Sequence, residues 1–383
     1  MCRFWERSAS RAGAESGPRM SAFLYALKKQ RERAAMSKKA GAGYPIDFVM
    51  LWVDDTDPEW RKERNRYSGK DEAMVDNREA RYRDWDTLKY WFRGVEKFAP
   101  WVHRIYFVTC GHLPEWLNVE ADKLVHIKHS DYIPGEYLPT FSSHTIELNL
   151  NRIPELAEHF VYFNDDTFIL KPITEDLFYR GGKPVHQARL HAIRAGKMGE
   201  MMPHIYLNTT EVINEHFDMH KVLKKDAAKW FSVSKNGPGV VFENRFCSRY
   251  DMFPGFGNEH LPTPILKSTM DTIWNLEGKR LDETCRHRFR DVRDVSQYVF
   301  RYWQLASGNF VPEKLSNIGV KYTIKSDREY VKKVCEVVKS GKHKLVCLND
   351  ADALDSQEDF LWAKKELVRA FEVLLPEKSS FEK

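Results

Sequence analysis

The chain has 383 residues, of which 42% are hydrophobic and 13% are aromatic. A chain of this size and apolar content can bury a large core, which excludes a disordered or fibrous protein and predicts about two domains, or one domain with a large insertion. The 60 basic and 55 acidic residues leave a net charge of only +5. This balance excludes a dedicated nucleic-acid binder, which concentrates lysine and arginine on one face.

The N-terminal segment, residues 1–44, is rich in basic and small residues and is predicted to be flexible. It lacks the apolar stretch of a secretory signal, and no part of the chain approaches the ~18 uninterrupted apolar residues of a transmembrane helix. Residues 20–39 have the composition of a short basic helix. Contact of that helix with an anionic membrane surface is the alternative to a poorly ordered tail.

Six cysteines are scattered along the chain without a C-x-x-C pair: Cys2, Cys110, Cys247, Cys285, Cys335 and Cys347. Zinc sites and disulfide frameworks both need closer or more regular spacing. We therefore expect reduced thiols in a cytosolic protein.

Residues 45–183 alternate between strand patterns and helix patterns. An apolar, β-rich run at 46–53 ends abruptly at Asp54, as a buried parallel strand does when it enters a loop. A helical pattern at 85–98 is stopped by Pro100. Further strands are predicted at 104–109, 124–127 and 160–163. The alternation predicts an α/β core with a Rossmann-like, mostly parallel sheet.

Residues 184–343 are mostly helical and are predicted to be an insertion into this core. Helical spacing is found at 211–226, 266–274, 295–306 and 328–340. A last strand at 344–348 and an amphipathic helix at 357–375 form the final segment, 344–383. Whether that strand joins the first sheet stays open. The apolar side of the last helix is expected to face the core, and contact with a membrane is the alternative.

Acidic residues follow predicted strands at three places. Asn164, Asp165 and Asp166 come directly after the strand at 160–163, and carboxylates at the C-terminal edge of a parallel sheet lie where α/β proteins bind ligands. Their oxygens suit Mg²⁺ or Mn²⁺ bridging the phosphates of a nucleotide substrate. Asp54 and Asp350 follow other strands. A polar turn without a ligand is the simpler alternative at each place.

Five polar residues lie in two arginine-rich stretches: Asn77, Arg78, Arg83, Arg288 and Arg290. Guanidinium groups match phosphate geometry, but most such stretches are solvated helix faces or form surface ion pairs. Spacing alone does not choose between these interpretations. His260 lies in a loop before a helix and is a candidate general base, because the pKa of histidine is near neutral pH.

Four blocks of this sequence, taken in order, resemble the Stealth family of sugar-1-phosphate transferases of microbial capsule synthesis. The first block is IDFVMLWVDD at 46–55. The second runs over 83–172 and includes LPTFSSHTIELNLNRIPEL and FVYFNDDTFIL. The third contains HLPTPILKSTMDTIW and HRFRDVRDVSQYVFRYWQLASG, and the last is KLVCLNDAD. The ordered combination is much more specific than any single block.

The resemblance implies transfer of sugar-1-phosphate from a nucleoside-diphosphate sugar to a saccharide hydroxyl, with release of the nucleoside monophosphate. Asp165 and Asp166 match the family's Asn-Asp-Asp motif and are the predicted ligands of Mg²⁺ or Mn²⁺. His260 matches the histidine of the third block and is the predicted base. Arg288 is favoured over Arg290 as the phosphate-binding, catalytic arginine, and Asp165 is the third predicted catalytic residue. The predicted substrate-binding residues are Asp54, Asn77, Arg78, Arg83, Asn164, Arg290 and Asp350.

Two positions depart from the family pattern, one at the end of the first block and one in the second block. Asp55 stands where glycine usually follows the first acid, and Ser142 stands where asparagine is typical. The loss of the asparagine amide at position 142 leaves the identity of the donor and the acceptor open. The resemblance favours UDP-N-acetylglucosamine or a related UDP-hexose as the donor. The expected location is the cytoplasm, and peripheral contact with the inner membrane and homo-oligomerisation both stay open.

Two other functions compete with this interpretation. A metal-dependent glycosyltransferase also holds a nucleotide sugar with aspartates that follow strands, but it releases the nucleoside diphosphate. A saccharide-binding protein without catalysis would show no turnover at all.

Overall fold

The computed structural model describes residues 43–54, 56–68, 84–197, 200–350, 354 and 356–383. Pro45–Lys383 forms one compact unit. The strands are β1 (Ile46–Leu51), β2 (Ile105–Thr109), β3 (Leu124–Lys128), β4 (His159–Phe163), β5 (Thr167–Ile169), β6 (Tyr179–Arg180), β7 (Lys183–His186), β8 (Thr263–Leu266), β9 (Val311–Pro312), β10 (Gly319–Thr323) and β11 (Leu345–Asn349). The predicted boundaries of the helical insertion, after residues 183 and 343, stay predictions.

The α-helices, numbered along the described part of the chain, fall mainly in its C-terminal half. They are α1 (Pro58–Tyr67), α2 (Leu88–Phe98), α3 (Ser143–Leu148), α4 (Met202–His216), α5 (Met219–Lys225), α6 (Ala227–Trp230), α7 (Val233–Asn236), α8 (Pro238–Cys247), α9 (Lys267–Arg286), α10 (Tyr298–Ala306), α11 (Leu315–Ile318), α12 (Arg328–Lys339) and α13 (Gln357–Leu374). Among these residues, no helix combines the length and apolarity that crossing a membrane requires.

The central sheet has five strands in the order β3-β2-β1-β4-β8. The first four strands are parallel, and β8 pairs with β4 in the antiparallel direction at one edge. Every residue of β2 and the first five of β1 are buried, as expected for parallel strands covered on both faces. The predicted α/β fold with a Rossmann-like, mostly parallel sheet is confirmed.

Helix α2 covers one part of this sheet and begins three residues later than predicted. The Asp84 carboxylate accepts a hydrogen bond from the Asp86 backbone N–H at 2.7 Å, and Asp86 has a φ of 54°. This local turn competes with the helix and delays its start to Leu88. A Cβ at Gly94 would lie 2.9 Å from the Ile169 carbonyl oxygen, so glycine lets α2 approach β5 closely.

The late strand, whose partner was left open, belongs to a second sheet with the order β10-β11-β5. It pairs in parallel with β10 and antiparallel with β5. Because β5 starts only four residues after β4 ends, this pairing brings the end of β11 beside the turn between β4 and β5. A hydrogen bond of 2.8 Å from the Leu348 N–H to the Asp166 carbonyl closes the junction.

The C-terminal helix α13 packs against α12. Phe360, Leu367 and Phe371 on its apolar side are buried, whereas Leu361 is exposed. Most of the apolar side of this helix therefore faces the core, as predicted. The five described cysteines are free thiols.

Candidate active site

A cavity of about 430 Å³ lies where β4 and β11 end. The chain passes from β1 to β2 and β3 on one side of the sheet, and β4 lies on the other side. The C-terminal ends of β1 and β4 thus flank a topological switch point, which is where open α/β sheets bind ligands. Six of the predicted site residues line the cavity: Asn164, Asp165, Asp166, His260, Arg290 and Asp350.

The turn between β4 and β5 holds the Asn-Asp-Asp motif in place. The Asn164 carbonyl accepts hydrogen bonds from the Thr167 N–H at 3.1 Å and from its hydroxyl at 2.7 Å. The hydroxyl of Tyr162 lies 2.7 Å from the Asn164 amide oxygen and 2.9 Å from the Glu147 carboxylate. These bonds fix the turn, so both aspartates are presented to the cavity by a rigid support.

The two neighbouring carboxyl groups differ in proton affinity. Desolvation inside the cavity, together with the negative charges of Asp166 and Asp84, raises the pKa of Asp165 to about 7. Desolvation also acts to raise the pKa of Asp166, but the charge of His260 and hydrogen bonds from His260, Cys347 and Asn349 outweigh it and lower that pKa. Asp165 is therefore poised to ionise when a positive charge arrives.

The donor atoms at this turn fit a hard divalent cation. Asp166 Oδ1 is buried and accepts no hydrogen bond from any described residue, while Asp165 and Asp350 line the same cavity. Carboxylate oxygens of this kind are the ligands that Mg²⁺ and Mn²⁺ prefer. An unsatisfied buried carboxylate oxygen is costly unless a ligand completes it.

A second donor set overlaps with the first but does not change this interpretation. One oxygen of Asp166, a ring nitrogen of His260 and the sulfur of Cys347 lie within 4.8 Å of one another. Burial and the charge of Asp166 raise the pKa of Cys347 well above its usual value. The protonated thiol donates a hydrogen bond to Asp166 Oδ2 at 3.3 Å, and the same oxygen pairs with His260, so Oδ1 is the Asp166 oxygen left for a cation.

His260 enters the cavity from a strained loop. Its φ is 48°, a conformation that residues other than glycine adopt at some cost and that is found often at functional sites. Its Nε2 lies 3.2 Å from Asp166 Oδ2. Desolvation acts to lower the pKa of His260, but the charge of Asp166 outweighs it and raises that pKa.

Two arginines hold the loop that carries His260. Arg301 donates to the Gly257 carbonyl at 2.7 Å, and Arg189 donates to the Glu259 carboxylate at 2.8 Å. Arg301 is itself buried. The loop is therefore anchored immediately before His260 by groups that lie outside the cavity.

The short helix α3 contributes three residues that the sequence analysis did not assign to the site. Ser143 accepts a hydrogen bond of 2.6 Å from Arg290, which holds that guanidinium at the cavity wall. His144 and Glu147 line the cavity, and both are largely buried. Their spacing of three residues places them on one helix face, a signal that the sequence already contained. Lys321, on β10, is a further cation of the lining.

Asp294 supports this wall from behind. It is fully buried and accepts hydrogen bonds from His144 at 2.8 Å and from His287 at 2.7 Å. Burial acts to raise its pKa, but the hydrogen bonds from the two imidazoles outweigh burial and lower the pKa. The ionised carboxylate orients the His144 ring so that its other nitrogen is directed away from Asp294.

Arg288 is not part of the cavity lining. Its guanidinium donates to the Pro139 carbonyl at 2.7 Å and lies 5.6 Å from the ring centroid of Tyr67. Among the described residues, Arg290 is the arginine that lines the cavity. The preference for Arg288 as the phosphate-binding arginine stays a prediction, and this geometry favours Arg290.

The remaining predicted residues lie at the edge of the site or outside the described part. Asp54 accepts hydrogen bonds from the Thr56 N–H and hydroxyl and does not line the cavity. Its charge acts on Asp84, whose charge acts in turn on Asp165. Asn77, Arg78 and Arg83, like Asp55, lie outside the described residues.

Comparisons with known proteins identify the family. Conserved region 1 of the Stealth proteins matches residues 44–72, and conserved region 2 matches residues 81–186. The capsular polysaccharide phosphotransferase WcwK of Streptococcus pneumoniae is 38% identical over 88% of this chain and 98% of its own length. The chain belongs to the Stealth family. The predicted resemblance and the predicted enzyme class, a phosphotransferase, are both confirmed.

Other Stealth relatives show the same extent of similarity. The receptor polysaccharide phosphotransferase WefC of Streptococcus gordonii is 38% identical over 88% of this chain and 98% of its own length. The exopolysaccharide phosphotransferase cps2G of Lactiplantibacillus plantarum is 36% identical over 89% of this chain and 97% of its own length. Among solved structures, apo mouse xyloside xylosyltransferase 1 matches with a TM-score of 0.30 and 12% identity over 81% of this chain and 98% of that one, a likeness too remote to bear on mechanism.

Proposed function

We propose that this Stealth protein transfers sugar-1-phosphate from a nucleoside-diphosphate sugar to a saccharide hydroxyl, in the synthesis of a capsule or another cell-surface polysaccharide. The product is a phosphodiester, and the nucleoside monophosphate leaves. The observation that carries the proposal is the common cavity of the Asp165–Asp166 pair, the His260 imidazole and the Arg290 guanidinium. Its volume of about 430 Å³ is in the usual range for small-molecule sites.

The proposed reaction exchanges one phosphorus–oxygen bond for another. The acceptor oxygen attacks the phosphorus nearest the sugar, and the bond from that phosphorus to the oxygen of the nucleoside monophosphate breaks. Negative charge is spread over the phosphoryl oxygens in the transition state, so catalysis depends on positioning and on positive charge. Arg290, held by Ser143, supplies a guanidinium that matches two phosphoryl oxygens at once.

His260 is the base in this proposal. It takes the proton of the acceptor hydroxyl, and the Asp166 carboxylate at 3.2 Å stabilises the imidazolium that results. The loop held by Arg189 and Arg301 keeps the His260 ring in position, so this position does not depend on contacts with the substrate. Mg²⁺ or Mn²⁺ bound by Asp165 and Asp166 would neutralise charge on the diphosphate of the donor.

The donor is proposed to be UDP-N-acetylglucosamine or a related UDP-hexose. The proposed location is the cytoplasm, where nucleotide sugars are available. Glu147 can accept hydrogen bonds from sugar hydroxyls at the cavity wall, and the second ring nitrogen of His144 can also bond to a hydroxyl, which fits a polar saccharide better than an apolar ligand.

The leaving nucleotide tests the proposal. Purified protein is incubated with Mg²⁺, an oligosaccharide acceptor and each member of a panel of UDP-sugars, and the nucleotides are separated by chromatography. UMP should accumulate together with a phosphodiester resonance in the ³¹P spectrum, and Asp165→Asn should abolish both. Asp251→Asn, an exposed carboxylate outside the cavity, is the matched control and should behave like the wild type. Release of UDP would establish a glycosyltransferase instead, and binding of saccharide without any turnover would establish a binding protein.

A further inference from the structure

Helix α8 presents a row of aromatic and basic side chains to solvent. One face of the helix carries Phe242, Arg245 and Phe246, at spacings of three residues and one, and Arg249 lies in the turn that follows the end of the helix at Cys247. Phe242 is 75% exposed and Phe246 is 52% exposed. Met252, just beyond the helix, is 58% exposed. We call these five residues the α8 face.

The opposite side of α8 is firmly attached to the protein. The Asn244 amide donates to the carbonyls of Ala188 and Trp230, each at 2.8 Å, and accepts from the Leu190 N–H at 2.7 Å. Val241 and Cys247 are buried beside it. The exposure of the two phenylalanines is therefore a property of a well-anchored helix, and it needs a reason other than poor packing.

The charges of the α8 face favour an anionic partner. Arg249 lies 5.9 Å from the ring centroid of Phe246, and among the described residues neither Arg245 nor Arg249 forms a salt bridge with an acidic group. Glu243, the acid within the helix, is turned inward and bound by Arg189 at 2.7 Å. Helix α7, which packs against α8, adds the exposed Lys235.

We propose that the α8 face docks on an anionic membrane surface. Exposed aromatic rings enter the headgroup region, and the arginines beside them pair with lipid phosphates. A protein partner is the alternative, because protein interfaces are also enriched in phenylalanine, methionine and arginine. The membrane is favoured because no acidic group among the described residues pairs with Arg245, Arg249 or the neighbouring Lys235, and an anionic lipid surface neutralises all three charges at once.

Polar contacts link α8 to the loop that carries the proposed base. Glu243 on the inner side of α8 binds Arg189, and Arg189 binds Glu259 at 2.8 Å, the residue before His260. Membrane docking itself does not rest on the proposed function.

The test measures binding of the full-length protein to vesicles, without any turnover. Sedimentation with phosphatidylcholine vesicles that contain phosphatidylglycerol should bring down the wild type, and vesicles of phosphatidylcholine alone or added salt should weaken this binding. The pair Arg245→Gln and Arg249→Gln should weaken the partition coefficient by roughly 30-fold, since each arginine near an anionic surface contributes about one fivefold step. The pair Phe242→Ser and Phe246→Ser should weaken it by at least about tenfold.

The matched control changes two exposed apolar residues elsewhere. Leu361 and Val373 on α13 are 54% and 63% exposed, and Leu361→Ser with Val373→Ser should leave vesicle binding unchanged. Wild-type protein that ignores anionic vesicles, or α8 variants that bind them as the wild type does, would overturn the proposal. A shift from dimer to monomer in the phenylalanine pair, without a change in vesicle binding, would identify a second copy as the partner and would equally overturn it. Release of UMP with a soluble acceptor should stay normal in every variant, which separates failure of docking from failure of the proposed reaction.

Discussion

Two histidines that line the cavity, His144 and His260, are each paired with a carboxylate, and the two carboxylates differ in whether they can accept a further bond. Asp294 accepts from His144, from His287 and from the Asp291 N–H at 3.0 Å, so its bonding capacity is used within the protein. Asp166 pairs with His260 through Oδ2 but keeps Oδ1 buried and without a bond to any described residue. Asp294 therefore positions the His144 side of the cavity wall, whereas Asp166 can still bind a cation. This difference separates a positioning role for the first pair from a catalytic role for the second.

Replacing each of the two histidines should have the largest and most unequal effects on catalysis. His260→Gln removes the proposed base and should lower kcat for UMP release by about 10³-fold, the usual range for a general base, while the affinity for the donor stays within about twofold. His144→Gln should lower kcat far less, because that ring is not the proposed base. Steady-state kinetics and calorimetric titration with the donor check both. Donor affinity that collapses in His260→Gln would show that the imidazole contacts the nucleotide instead.

The two arginines of the third block, Arg290 in the cavity lining and Arg288 outside it, should differ in the same way. Arg290→Lys should lower kcat/KM by about 10²-fold, because a lysine cannot match two phosphoryl oxygens as a fork does. Arg288→Lys should change it by less than about threefold, since Arg288 is bound to the Pro139 carbonyl away from the cavity. Initial rates over a range of donor concentrations measure both. The reverse order of effects would restore Arg288 as the phosphate-binding residue.

The Asp294 pair should show itself as stability that depends on pH. The hydrogen bond that His287 donates to Asp294, together with the charge of Asp294, outweighs burial and raises the pKa of His287, whereas the pKa of Asp294 is lowered. The stabilisation that comes from ionised Asp294 is present above its unfolded pKa of about 4 and is lost as the pH falls through the lower folded pKa. The stabilisation that comes from protonated His287 is present below about pH 6.5 and is lost as the pH rises through the higher folded pKa. The contribution of the Asp294–His287 pair to the free energy of unfolding should therefore be largest between about pH 4 and about pH 6.5.

Urea unfolding of the wild type and Asp294→Asn across this range measures the effect. The variant should be less stable by about 3 kcal/mol at the maximum, and the difference should shrink toward both ends. A loss of stability that does not change with pH would mean that the asparagine disturbs packing rather than charge.

The residues that sequence reasoning placed best are those that directly follow a strand. Asn164, Asp165 and Asp166 could be assigned to a ligand edge because β4 is short and apolar and the direction of a parallel strand decides where its end lies. His260 was a candidate base from its position in a loop before a helix, but only the resemblance singled it out among 14 histidines. The structure adds the reason for its position, which is a loop anchored by Arg189 and Arg301.

The residues that sequence reasoning missed or left open depend on contacts between distant segments. Arg288 and Arg290 are two residues apart, and which one reaches the cavity depends on the backbone path of a loop held by α3 and Tyr67 rather than on any periodicity. His144 and Glu147 had the spacing of one helix face, but a single turn of helix gives no sign of what that face meets. Asp350 reaches the site because β11 joins the second sheet.

The sequence by itself determined the α/β class, the apolar strands of the central sheet and the family, because burial periodicity and ordered motifs are local properties of the chain. The tertiary structure alone decided which charged groups share one cavity and which are already satisfied by neighbours. That outcome depends on pairs separated by a hundred or more residues, such as His144 with Asp294, whose meeting is set by how α3 and the loop before α10 pack and not by either segment alone.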